Sequence, residues 1–232
     1  MFAIQRELRM LKNPVQARVC AGFFKTGPGE YGEGDQFLGI KVPVSRTIAK
    51  KYAALSRDAL HELIQSPWHE ERFVALMILV HQFQKAGTQA QQEEIGNWYC
   101  AHTRWINNWD LVDATAYHIV GPLAVMSPAW WKKREVLSRS PDLWERRIAI
   151  VSTFHDIKHG DPRAIFTFTQ RRMRDTEDLI HKACGWMLRE VGKRVGEKEL
   201  KSFLQEHGDA MPRTMFRYAI ERLQMKKKRA TL

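Results

Sequence analysis

The sequence predicts an all-α protein, a superhelical solenoid of stacked antiparallel helix pairs with a concave basic face. Three observations predict it. Alternation of period two, the mark of a half-buried strand, is absent, and the β-branched residues fall in patterns of three and four. An apolar helix with a charged front recurs at 71–79, 145–151 and 181–188, and Trp109–Asp113 falls near the midpoint of the first two. The step is about 35–37 residues, within the range of helical-pair repeats. Finally, Pro122, Pro128, Pro141 and Pro162 punctuate the connections, with second helices expected over 89–99, 130–137 and 165–172.

In chain order, Leu8, Leu11, Val15, Val19 and Phe23 recur at helical steps through residues 1–25, with Pro14 marking a start or break. Four glycines and a proline between residues 27 and 35 make a loop. It is not a phosphate loop, since no Lys-Ser or Lys-Thr follows and no strand precedes it. A short apolar passage, Phe37-Leu38-Gly39-Ile40-Lys41-Val42-Pro43, leads to Ser45, a candidate cap for a helix through Ile48, Tyr52 and Leu55. Ser56-Arg57-Asp58 opens another helix, which Pro67 ends. The repeating array follows, then a terminal helix over 211–224. A single domain over residues 1–225, with a basic tail at 226–232, is expected.

Composition narrows the function. The 232 residues suffice for one sizeable core, and 44% hydrophobic with 27% charged content is ordinary globular material. No apolar run of membrane-spanning length and no secretory h-region occur, so no membrane span is expected. Cys20, Cys100 and Cys184 are odd in number and widely spaced. They point to a reducing cytoplasm and give no zinc spacing. His155 and His159 sit four apart but lack a third ligand, so no metal is expected. Nucleophile-elbow and dinucleotide fingerprints are missing too, and no cofactor is expected. The net charge of +11 favours a polyanion, nucleic acid first, and eight tryptophans among basic residues suit such a surface.

The chain is organised around Ile106-Asn107-Asn108-Trp109-Asp110-Leu111-Val112-Asp113. Read as helix capped by Asn107 or Asn108, it turns Leu111 and Val112 towards packing and stacks Trp109 and Asp113 on an edge that can stay open. An indole beside a carboxylate attracts cations. The plain alternative stands beside it: an early Asp complements the helix dipole, and a Trp packs. Arg147 and Trp186 occupy the equivalent inner helices. For them the plain readings are a salt bridge and core packing, with Gly185 allowing close helix approach.

At these residues the sequence resembles the AlkD-like DNA alkylation repair glycosylases, built on HEAT-like repeats. The matching pieces are Phe37-Leu38-Gly39-Ile40, Trp109-Asp110-x-Val112-Asp113, Arg147-Ile148-Ala149-Ile150 and Gly185-Trp186-x-Leu188-Arg189-Glu190, in order from about residue 5 to 222. The resemblance implies that Asp113 is the catalytic carboxylate. Trp109 and Trp186 are then aromatic partners of the lesion nucleotide, and Arg147 binds DNA and orders the carboxylate. Arg189 belongs to the same motif as Trp186. Lys132, Lys133, Arg134, Arg171, Arg172 and Lys41 are candidate phosphate contacts.

The implied activity is hydrolysis of the N-glycosidic bond of cationic N3- and N7-alkylpurines in duplex DNA, by a monomer associated with the nucleoid when bound. No lyase step is implied, because no lysine stands out as a Schiff-base nucleophile. Two other readings stay open at this point. One is a non-catalytic binder of damaged or branched DNA; the other is a protein–protein scaffold.

Overall fold

A computed structural model describes the backbone of residues 2–229 and the side chains of residues 2–223. Among these the protein is all-helical, with fifteen α-helices, two 3₁₀ turns and a lone parallel bridge between Gln36 and Trp68. No helix is long and apolar enough to cross a membrane. The chain divides into two compact units, Met1–Thr115 and Ala116–Leu232.

The first unit holds α1 (Ala3–Met10), α2 (Pro14–Phe23), α3 (Val42–Lys51), α4 (Arg57–Ile64), α5 (His69–Lys85), α6 (Gln89–Ala101), a 3₁₀ turn (Thr103–Trp105) and α7 (Trp109–Asp113). Helix α5 is its hub: α1, α3, α4, α6 and α7 all pack on it. The predicted apolar stretch is there, and Val74, Leu76, Ile78 and Leu79 are fully buried. So is the charged front. Glu71 accepts from Arg9 at 2.9 Å and Gln5 at 3.1 Å. Arg72 donates to Asp35 at 2.7 Å and to the Ser66 carbonyl at 2.9 Å. Charges survive burial when every one is partnered, and here they are.

The second unit holds α8 (Ala116–Met126), α9 (Pro128–Ser138), α10 (Leu143–Ser152), α11 (Phe154–Lys158), α12 (Arg163–Arg172), α13 (Asp178–Arg194), α14 (Glu197–His207), a 3₁₀ turn (Gly208–Ala210) and α15 (Arg213–Arg229). Helices α10 and α13 are its inner members. Arg146, two repeat steps after Arg72, does the same work: it donates to the carbonyls of Ser140 and Pro141 and pairs with Asp175 at 3.0 Å. Each guanidinium thus ties the loop entering its helix to an aspartate of a neighbouring loop. Gly185 lets α13 and α15 close up, since a Cβ there would lie 2.4 Å from the Met215 carbonyl oxygen. The expected tail at 226–232 falls outside the described side chains, and from residue 230 outside the described backbone.

Several local expectations change. Residues 1–25 form two helices, and Pro14 is a start, as its position in the sequence marked: the break falls at residues 11–13, with Asn13 capping α2 through Val15 and Gln16. The break separates the apolar stripe: Leu8 is buried, while Leu11, Val15, Val19 and Phe23 face solvent. Ser45 is not a cap. Helix α3 begins at Val42 with Lys41 at the cap position and Pro43 in the first turn, where its missing N–H costs nothing, and Ser45 is buried inside. Pro122 does not mark a connection but sits within α8, a helix held by the fully buried Ile119, Val120 and Leu123. That burial offsets a penalty of about 3 kcal/mol for an interior proline.

Arg134, expected on the surface, is fully buried. It makes a bidentate pair with Asp156 at 2.6 and 3.0 Å and lies 4.6 Å from the Trp131 ring centroid. Removing one partner strands a charge, so Asp156→Ala is expected to cost about 3–5 kcal/mol. Arg134→Met with Asp156→Leu is expected to recover most of that loss. Urea unfolding of the three proteins measures both.

Candidate functional site

The site is built from the first unit alone. Asn108, fully buried, caps α7 by accepting from the Trp109 N–H at 2.9 Å. Thr115 closes the other end by donating to the Leu111 carbonyl at 2.6 Å. In five residues the periodicity then sorts the faces as expected: Leu111 and Val112 are fully buried, while Trp109 and Asp113 remain half-buried.

Both line a cleft of about 640 Å³, bounded by α2, the segment 37–41, the first turns of α3 and α5, and α7. Its wall is aromatic. Phe24 stacks on Trp109 with centroids 5.2 Å apart and planes at 15°, Phe23 meets Trp109 edge-on at 5.7 Å, and Phe24 stacks on Phe37 at 5.0 Å. Lys41 and Arg46 stand at the α3 side, and Asp113 contributes its carboxylate from α7. Burial opposes ionisation of the nearby Tyr99 hydroxyl most strongly, and the Asp113 charge adds a smaller push in the same direction.

Glu70 holds the floor of the cleft. Its carboxylate accepts three backbone hydrogen bonds, from Leu38 at 2.8 Å, Gly39 at 2.8 Å and Ile40 at 3.1 Å. Three successive N–H groups converge on one anion because Gly39 adopts φ of 82°, a conformation that favours glycine. A side chain there would also strike the Asn13 carbonyl oxygen at 2.2 Å. Segment 37–41 is therefore pinned to α5, and Lys41 emerges from it at the rim.

His69 sits between two carboxylates. Nδ1 is 3.0 Å from Asp35 and Nε2 2.9 Å from Asp110, and its ring stacks on Phe37 at 4.6 Å. Burial opposes its charge most strongly, but the charge and hydrogen bond of Asp110 and the hydrogen bond of Asp35 outweigh it. They raise the imidazole to about 9, with Arg72 pushing the other way. Asp35 is held below the ordinary carboxylate range: burial works against this, and the hydrogen bond from His69 and the Arg72 charge prevail.

The remaining expected residues lie in the second unit. Arg147 is buried on α10 and donates to the Leu179 carbonyl at 2.6 Å. Trp186 is half-buried on α13, with its ring 6.4 Å from that of Phe154. Arg189 pairs with Glu221, Arg171 with Glu135 at 3.1 Å and Arg172 with Asp175 at 3.2 Å. Lys133 lies 4.2 Å from the Trp130 ring centroid, and Lys132 is exposed. Arg134 is withdrawn as a phosphate contact, because its buried pair with Asp156 leaves it no surface. Phe23, Phe24, His69, Glu70 and Asp110 were not singled out by the sequence reading as site residues. Adjacent phenylalanines at 23 and 24, one in the helical stripe and one off it, were the available signal.

The His69 bridge gives stability a pH dependence. Its folded value lies above the free value of 6.5, so its contribution is complete below about pH 6.5 and is lost as pH rises through about 9. Asp35 acts oppositely, its contribution being present above 3.8 and lost as pH falls below it. Unfolding free energies from urea titrations across this range are expected to decline between about pH 6.5 and 9, by on the order of 3 kcal/mol. His69→Gln is expected to lack that slope.

Comparison with known proteins bears on the same stretch of chain. A search of curated proteins finds no significant match. A solved structure described as a predicted DNA alkylation repair enzyme from Enterococcus faecalis shares the fold, with a TM-score of 0.69 at 17% identity. The match covers 90% of this chain and 95% of that one. The family model described as DNA alkylation repair enzyme matches residues 4–223, which is nearly the whole sequence, and the chain therefore belongs to the DNA alkylation repair enzyme family.

Proposed function

We propose that the protein is a monofunctional DNA glycosylase that releases cationic N3- and N7-alkylpurines from duplex DNA. The observation that carries this reading is the pairing of Asp113 with Trp109 on the open edge of α7, both lining an aromatic cleft.

The chemistry suits so small a site. A purine alkylated at N3 or N7 carries a formal positive charge and leaves without protonation by a general acid. As the C1′–N bond breaks, its electron pair returns to the ring and cationic character passes to the deoxyribose, as in glycoside hydrolysis. The Asp113 carboxylate stabilises that charge and orients the water that forms the new C1′–O bond. The Trp109 indole, braced by Phe24 and flanked by Phe23, offers a π face to the cationic base or sugar edge, worth about 0.5–2 kcal/mol. One well-aimed electrostatic stabiliser is worth about 3–4 kcal/mol of barrier, so the carboxylate dominates.

In this reading Lys41, at the cleft rim, and Lys132 and Lys133 on α9 hold phosphates. Arg171, Arg172 and Arg189 exchange their present carboxylate partners for phosphate on binding. Trp186 and Arg147 are assigned to DNA by the motif resemblance.

The test is base release from duplex DNA carrying N7-methylguanine. Wild type is expected to release it, and Asp113→Asn to do so about a hundredfold more slowly or worse. Trp109→Ala is expected to lose about 2- to 30-fold. Binding without release by wild type would make the protein a DNA-binding relative instead.

A further inference from the structure

We propose that His69 is a positioning residue for the cleft. Bridged between Asp35 and Asp110, it fastens the first turn of α7 so that Trp109 faces the cleft beside Asp113, and losing its proton releases that turn. The structural part of this stands by itself; its consequence for base release rests on the proposed function.

The geometry makes His69 the fastening. Helix α7 has only five residues, too short to hold itself together without tertiary support. Its C-terminal half is anchored by Leu111, Val112 and the Thr115 hydrogen bond. Its first turn carries Trp109, while Asp113 closes the helix at the anchored end. Asp110, between Trp109 and Leu111, meets His69 through Oδ2 at 2.9 Å. Its other oxygen is buried with no hydrogen-bond partner among the described residues. An acceptor of this kind is expensive to bury, so the single bond to His69 matters to where Asp110 sits.

Behind His69 stands a second layer. Asp35 takes its Nδ1 at 3.0 Å, and is itself held by Arg72 at 2.7 Å and approached by Asn108, the α7 cap, at 3.5 Å. A proton on each ring nitrogen is what lets both carboxylates be satisfied at once. A neutral imidazole can donate to only one of them, which leaves the other buried carboxylate facing a lone pair.

The surroundings of His69 support its charged state near neutral pH. Asp35 comes from the loop, Asp110 from α7, and Arg72 from α5 itself. Phe24 and Phe37 cover the ring and carry no charge. Glu70, the next residue, is occupied by the backbone of 38–40. Two negative groups against one positive favour the imidazolium, and the raised value of about 9 agrees.

The experiment follows Trp109 directly in the full chain. Tryptophans are labelled with 5-fluorotryptophan, and Trp109 is assigned by loss of its ¹⁹F line in Trp109→Phe. The line is followed from about pH 7 to about 10.5 while the His69 ring nitrogens are titrated by ¹⁵N NMR. The expected result is one shared midpoint near 9 for both. His69→Gln is expected to abolish the Trp109 step and place its line, at neutral pH, where wild type has it at high pH. Asp110→Asn keeps an acceptor but removes the charge. It is expected to lower the shared midpoint by about one pH unit or more, and it carries the test if His69→Gln fails to fold.

A Trp109 line indifferent to pH while His69 titrates overturns the proposal. So does a His69→Gln protein with the wild-type neutral-pH line. In the activity arm, His69→Gln is expected to slow base release at saturating protein about tenfold or more. Its DNA affinity is expected to stay within about twofold of wild type, since α7 supplies positioning and the phosphate contacts lie elsewhere. Equal rates overturn the catalytic consequence. If wild type itself releases no base, the glycosylase reading falls, and the ¹⁹F result still decides the role of His69.

Discussion

The cleft depends on one carboxylate. Glu70 gathers the backbone N–H groups of Leu38, Gly39 and Ile40, and so fixes an extended segment with no strand partner against the start of α5. Without that anion, three converging donors would be buried and unsatisfied, a cost of about 1–3 kcal/mol each. With it, Phe37 is set beneath Phe24, Phe24 beneath Trp109, and Lys41 at the rim. Neighbouring charges along the same helix turn do related work. Glu71 holds α1 through Gln5 and Arg9, and Arg72 holds the loop through Asp35. The first turn of α5 is thus a polar joint rather than part of the apolar core it introduces.

The same device recurs in the second unit, where Arg146 ties the loop before α10 to Asp175. A repeat architecture needs such joints. Each helix pair buries its apolar faces against neighbours, but apolar contact does not by itself fix the path of the connections. Guanidinium groups that donate to loop carbonyls and an aspartate at once supply the missing direction. The charged front seen in the sequence is thus a structural feature of α5 and α10, and Arg147, one position on, is buried beside it.

The site was legible where its logic is local. Asn108 as cap, Leu111 and Val112 inward, and Trp109 and Asp113 on the open edge all follow from helical periodicity within a few residues. The aromatic wall was not legible, because Phe23 and Phe24 reach Trp109 across some eighty-five residues of chain, and nothing near them marks the contact. Arg134 shows the opposite error. In Lys132-Lys133-Arg134 it reads as one member of a basic patch, yet the helix turns it inward to Asp156, twenty-two residues on.

The helical character, the repeat step and the face that α7 leaves open were thus legible in the residues alone. These depend on spacing and caps, which act over one or two turns. Which faces are covered was left to the packing of distant segments. Packing left Leu11, Val15, Val19 and Phe23 exposed, buried Arg134 and made His69 a bridge between Asp35 and Asp110. The reason is that a helical period says which residues share a side. Whether that side meets water, an aromatic ring or a carboxylate is settled by residues far away in the chain.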